Sequence, residues 1–222
     1  MESLEYLTDL TELTVNEYMS GFRGVPDFSH ELIPKIGRIS TPDSDLKAWE
    51  KRMLRTFIAQ GQPYIKKEMN VWEHLALGQH HGLATRLLDW SHNPLVALYF
   101  ATLSDPDKDG AIYTCAYEGF CVNVEEDDPF SIDTPLWWLP PSLDERIIAQ
   151  QGFFSVQPLP QEPLKHPKLQ KTRIPKELKH SFKSLISKWG IKESTLFPGL
   201  STVAMDLNRA LTKYDLTNQD SQ

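Results

Sequence analysis

Residues 78–101 read GQHHGLATRLLDWSHNPLVALYFA, and this run gathers side chains suited to chemistry inside an otherwise apolar stretch. His80 and His81 are adjacent imidazoles, Arg86 and Asp89 stand three apart, and Thr85 and Ser91 supply hydroxyls. Such groups either satisfy one another in a core or face a cleft. A metal is one chemistry that His74, His80, His81 and His92 raise. Zinc sites, however, use fixed spacings such as His-Glu-x-x-His, which put both ligands on one helix face. Adjacent histidines in a turn point apart, and Cys115 and Cys121 do not form a Cys-x-x-Cys. No metal is expected, and a histidine bonded to a buried carbonyl is the competing reading.

Arg86 and Asp89 fall on opposite faces of an extended strand but can pair in a tight turn. One reading makes them a buried ion pair pinning a strand to the helix behind it. The other has one facing ligand while its neighbour orients it. Asp89 can also cap the helix opened by Pro94. Upstream, Arg23 lies between Phe22 and Gly24. Gly24 leaves the backbone bare for a close-lying ligand, and an arginine beside it can fork onto phosphate or carboxylate. A salt bridge to Asp27 or to a distant carboxylate is the alternative. Further on, Gln150-Gln151-Gly152 precede an aromatic strand, as turn residues or as ligand contacts. There is no Gly-x-Ser-x-Gly, P-loop or Gly-x-Gly-x-x-Gly in the chain, so the usual hydrolase and Rossmann signatures are missing.

These residues need elements to position them. Leu4, Leu7 and Leu10 predict a short helix within residues 1–20, and a short strand follows at Phe22-Arg23. Leu46, Trp49, Met53, Leu54 and Phe57 form one face of a helix capped by Ser44 or Asp45 and ended by Gly61. A second helix is expected over 69–78, then a turn at 79–82 and a strand at Thr85–Asp89. Asn93-Pro94 marks a helix start, because proline's missing N–H is unneeded there. PLVALYFATL is apolar all round, which predicts a buried helix. AIYTCAY reads as a central strand, NVEEDDPF as a solvated acidic loop, and 142–150 as a short helix before a strand at Phe153–Gln157. Two helices close the chain, one opened by Pro175 with Leu178, Phe182, Leu185, Ile186 and Trp189 in a stripe, the other over 199–214. The expected class is α+β: a small mixed or antiparallel sheet flanked by helices, with a helical C-terminal tail packed on it. One domain over 1–222 is expected, with its motif core at 20–157 and a helical extension at 172–216.

Composition narrows the classes. With 40% hydrophobic and 24% charged residues, and six tryptophans and ten phenylalanines, the chain can build a sizeable core. A net charge of −7 disfavours a nucleic-acid surface, which needs clustered cations. Segment 165–183 is locally basic (Lys165, Lys168, Lys171, Arg173, Lys176, Lys179 and Lys183). It reads as a solvated face, with a partner surface for an acidic protein or RNA as the functional alternative. MESLEYLTDL lacks the pattern of a signal peptide, no apolar run reaches membrane-spanning length, and two cysteines make no disulfide framework. A cytoplasmic, reducing location and no membrane are expected.

FRG at 22–24, LIPKIGR at 32–38 (ending in Arg38), the 78–101 run and RIIAQQGFF at 146–154 occur in this order. In that series the chain resembles the FRG-domain family over about residues 20–155. A strand bearing arginine, a strand leading into an apolar helix, and a polar strand entry near the end are also similar to the ADP-ribosyltransferase fold. That resemblance implies an NAD-handling enzyme of bacterial or phage toxin or defence type, with NAD as substrate. Arg23 would hold the phosphates, and Thr85 or Ser91 with the helix that follows would support the nicotinamide side. Gln150, Gln151 or Glu145 would stand where a ribose-orienting carboxylate is wanted. Gly24, Arg38, His80, His81, Arg86 and Asp89 would complete the pocket. AQQGFF departs from the pattern, because a neutral amide stabilises an oxocarbenium-like ribose poorly. The alternative is a non-catalytic ligand- or protein-binding module, its basic segment 165–183 meeting a partner such as an antitoxin or inhibitor.

Overall fold

A computed structural model describes residues 20–40, 45–65, 67–141 and 144–219. The helix expected within residues 1–20 lies outside the described residues, apart from Ser20. Six strands form one antiparallel sheet: β1 (Ser20–Val25), β2 (Leu88–Ser91), β3 (Gly110–Ala116), β4 (Leu136–Trp138), β5 (Gly152–Val156) and β6 (Leu169–Ile174). Their spatial order is β4-β5-β2-β1-β3-β6. Among the described residues the helices are α1 (Leu46–Gly61), α2 (Val71–His80), α3 (Pro94–Ala101), α4 (Glu145–Ala149), α5 (Lys176–Lys188), α6 (Glu193–Leu196) and α7 (Leu200–Gln219), with a 3-10 turn at Lys35–Arg38. The class is α+β.

Local chemistry explains the helix starts. The Asp45 side chain accepts from Ala48 N at 3.0 Å and opens α1. Asn70 and Glu73 form a reciprocal capping box at the start of α2, satisfying two otherwise orphaned N–H groups. Asn93 accepts from Leu95 N at 2.9 Å, with Pro94 in the first position of α3.

Alternation along the strands divides the core. Phe22 and Ile112 face α3 and α5, packing with Val96, Leu98, Phe182 and Ile186. Trp138, Phe154 and Val156 meet Leu54, Trp72 and Leu75 of α1 and α2. The opposite face carries Trp90, Tyr113, Trp137 and Phe153, covered by Leu32 and Leu164.

Three expectations are corrected. The strand placed at Thr85–Asp89 runs instead from Leu88 to Ser91, because Thr85 and Arg86 are engaged by the 3-10 turn and α1 rather than by a strand ladder. β4 lies in the Trp/Pro-rich stretch between the acidic loop and the short helix at 142–150, where no strand was expected. β6 crosses the basic segment and pairs with β3 over six residues; charges on such an edge strand discourage further pairing. On α1 the buried positions are Leu46, Glu50 and Leu54, while Trp49, Met53 and Phe57 are half-buried. α5 docks on the sheet as expected, but α7 leaves Leu200, Leu207 and Leu211 exposed. No described helix is long and apolar enough to cross a membrane.

Candidate functional site

β1 joins β3 over six residue pairs but meets β2 at one, Phe22↔Ser91. Beyond that pair the two strands part, and the Arg23 side chain reaches into the gap. Its Nη1 donates to the Asp89 carbonyl at 2.5 Å and stands 3.5 Å from the Asp89 carboxylate. Burial lowers the guanidinium below its ordinary value, Asp89 opposes this, and the nearby charge of Arg38 lowers it further. Arg38, at the end of the 3-10 turn, is exposed and has no ion-pair partner among the described residues. Arg23 is thus tethered to Asp89, while the charge of Arg38 lies close enough to act on its guanidinium.

Asp89 is 60% exposed at its side chain and is held in place from the other side. Gln79 Nε2 donates to Asp89 Oδ1 at 2.7 Å, and Thr85 Oγ1 donates to Gln79 Oε1. Thr85 also accepts Ile36 N through its carbonyl, which ties the turn carrying Arg38 to the same chain of bonds. Ser91 Oγ donates to the Gln150 carbonyl at 2.7 Å and accepts from Asn93 N at 2.9 Å. The end of β2 is thereby fixed to the entry of β5 and the start of α3.

Beside this network lies a cavity of about 110 Å³, between α2, α4, β2 and β5. Gln79, His80, Asp89, Arg146 and Gln150 supply its polar lining. His80 Nδ1 is 3.2 Å from Asp144 Oδ2. Burial lowers the His80 pKa from its ordinary value; Asp144 opposes this, and Arg146 and His81 lower it further. His81 caps α2, is exposed, and meets His80 edge-on with ring centroids 5.0 Å apart. Among the described residues no group of three or more His, Cys, Asp or Glu can hold a metal.

Several expected site residues are placed elsewhere. Arg86 is 2% exposed and does not pair with Asp89. Its Nε and backbone N both donate to Glu50 at 2.8 Å, and its Nη1 donates to the Pro129 carbonyl at 2.7 Å. It pins the β2 lead-in to α1, where burial raises the Glu50 carboxyl and Arg86 opposes that rise. Gly24 does not open onto ligand space. A Cβ there would lie 1.7 Å from the Ala97 carbonyl oxygen and 2.7 Å from Ala101 N, so the close backbone approach is that of α3. Glu145 is exposed on α4 and lies outside the cavity lining. The Gln150 amide is committed to the Leu196 carbonyl at 3.0 Å. Gln151 is exposed at φ +47°, its carbonyl accepting His92 N. Asn93 rather than Asp89 caps α3.

Sequence reading did not single out Gln79, Asp144 or Glu50. Asp144 carried a legible signal, an aspartate directly before a helical stretch. Glu50 carried none, because a glutamate on an amphipathic helix ordinarily reads as solvated.

No curated protein and no solved structure matches the chain. The FRG domain family model matches residues 19–110, the segment that brings together Arg23, Arg38, Gln79, His80, Asp89 and Ser91. The chain thus carries an FRG domain, and Phe22-Arg23-Gly24 divides its work among a core side chain, a cleft cation and a helix contact.

Proposed function

We propose that the gap between β1 and β2 binds the diphosphate of NAD, and that the protein is an NAD-handling transferase or glycohydrolase of toxin or phage-defence type. The observation that carries this reading is the state of Arg23. Only its Nη1 is engaged among the described residues, while Nε and Nη2 are left to fork onto a phosphate. Arg38 adds a second positive charge close by. The convergence of Arg23 on β1, Ser91 at the end of β2 and the entry of β5 on adjacent strands fits the ADP-ribosyltransferase-like arrangement that the motifs resemble. Arg38, Thr85 and Asp89 set the geometry around the guanidinium.

Purified protein and its Arg23→Ala variant, incubated with NAD, provide the test. Nicotinamide release by the wild type that disappears in the variant supports the reading. The variant should keep its stability to within about 1 kcal/mol, as a cleft-surface change does. Absence of turnover, with and without cell extract as acceptor source, sinks it.

A second reading, a non-catalytic binding module, is favoured by one observation. Neither Glu145, Gln150 nor Gln151 presents a carboxylate to the cavity. On that reading the arginines hold a nucleotide-like ligand without turnover, and the exposed lysines of 165–183 meet an acidic protein partner.

A further inference from the structure

We infer that His80, oriented by Asp144, is the general base of this reaction and activates a water or acceptor hydroxyl held in the cavity between α2 and α4. The inference rests on the NAD reading above.

Asp144 is immobilised by its own helix. Its Oδ1 accepts from Arg146 N at 2.8 Å and Ile147 N at 2.9 Å as the N-cap of α4, which leaves Oδ2 to His80 Nδ1 at 3.2 Å. The Asp144 carboxylate beside Nδ1 favours the proton there and the lone pair on Nε2, the arrangement a base requires. His80 also lines the cavity. At about 110 Å³ the cavity has room for a few waters, each taking roughly 30 Å³ of liquid volume, and none for a dinucleotide. Phosphates are therefore held at Arg23 and Arg38, and only the small nucleophile enters.

The charged groups facing the imidazole are Asp144 and Arg146 from α4 and His81 at the end of its own helix, with Asp89 of β2 lining the same cavity. Burial holds His80 below the ordinary histidine value, which favours the unprotonated imidazole. In the step itself, the C–N glycosidic bond of NAD breaks and its electron pair leaves with nicotinamide, which becomes neutral. The water oxygen bonds to the anomeric carbon, and its proton passes to His80 Nε2 and then to solvent. The Asp89 carboxylate, held by Gln79, offsets the positive charge that develops on the ribose.

The test follows nicotinamide release against pH for the full chain and for His80→Gln, Asp144→Asn and Arg23→Ala, with a thermal melt of each. In the wild type kcat/KM should rise with pH through one ionisation to a plateau. His80→Gln should lose at least about 100-fold, the lower range for general-base catalysis, and should lose that ionisation. Asn remains a good N-cap, so Asp144→Asn should keep α4 and its melt while lowering the rate and moving the ionisation. It carries the test if His80→Gln fails to fold. Rates for both variants within threefold of wild type, or an unmoved pH profile, overturn the base. Arg23-dependent release would then leave the NAD reading standing. No release by the wild type overturns both.

Discussion

Arg23 and Arg86 each have a carboxylate neighbour, and burial separates their roles. Arg86 and Glu50 are both 2% exposed at their side chains, with three donors of Arg86 at 2.8 Å from the Glu50 carboxylate. Removing one partner of such a pair strands the other charge. Glu50→Gln should therefore cost about 3–5 kcal/mol in urea unfolding, without touching the Arg23 gap. Arg23 is a fifth exposed, with its carboxylate contact at 3.5 Å, and its loss should register in binding rather than stability. From the sequence the adjacency of Arg86 and Asp89 suggested a pair, but the partner of Arg86 comes from 36 residues away. No local spacing carries that information, since it depends on how α1 crosses the lead-in to β2.

At the level of elements, the starts of α1 and α3 were legible because caps are local chemistry, written within four residues of each helix. The apolar α3 was legible as buried, and β3 as central. β6 was not: its pattern of Lys and Arg suits an exposed edge, and only pairing with β3 makes it a strand. Lys171 there is held by the Phe28 carbonyl at 2.5 Å and Arg173 by Asp109 at 2.8 Å, so part of the basic segment is structural. Gly24 shows how α3 is seated. Backbone faces backbone at 1.7 Å from the missing Cβ, and neither side can swing away as a side chain would. Gly24→Ala should push α3 off β1 and cost about 3 kcal/mol or more, the upper end for overpacking. The measurement is the denaturation midpoint, with loss of the helix contact expected to precede any effect on ligand.

Across the whole molecule, two carboxylates at neighbouring loops set an acid limit. Lys108, at 2.6 Å, and then Ser29 hold Asp27 well below the usual carboxylate range. Asp109 is lowered chiefly by the backbone N–H of Lys176, which burial opposes, and further by Arg173. A carboxyl whose folded pKa is depressed contributes stability that is fully present above its unfolded value, about 3.9 for aspartate. That stability is lost as pH falls through the folded value. The urea midpoint should therefore drop on acidification below about pH 4, and Asp27→Asn should shallow that drop.

The single pair that joins β1 to β2 has a further meaning for the sheet as a body. It makes two leaves, β6-β3-β1 and β2-β5-β4, stitched at Phe22 and Ser91 and stapled by α3 through Gly24 on one leaf and Asn93 beside the other. Arg23 is rooted in the first leaf and its tether, Asp89, in the second. An anion bound by the guanidinium, as proposed, would act as a clasp across the seam, so that occupancy of the site would stiffen the sheet.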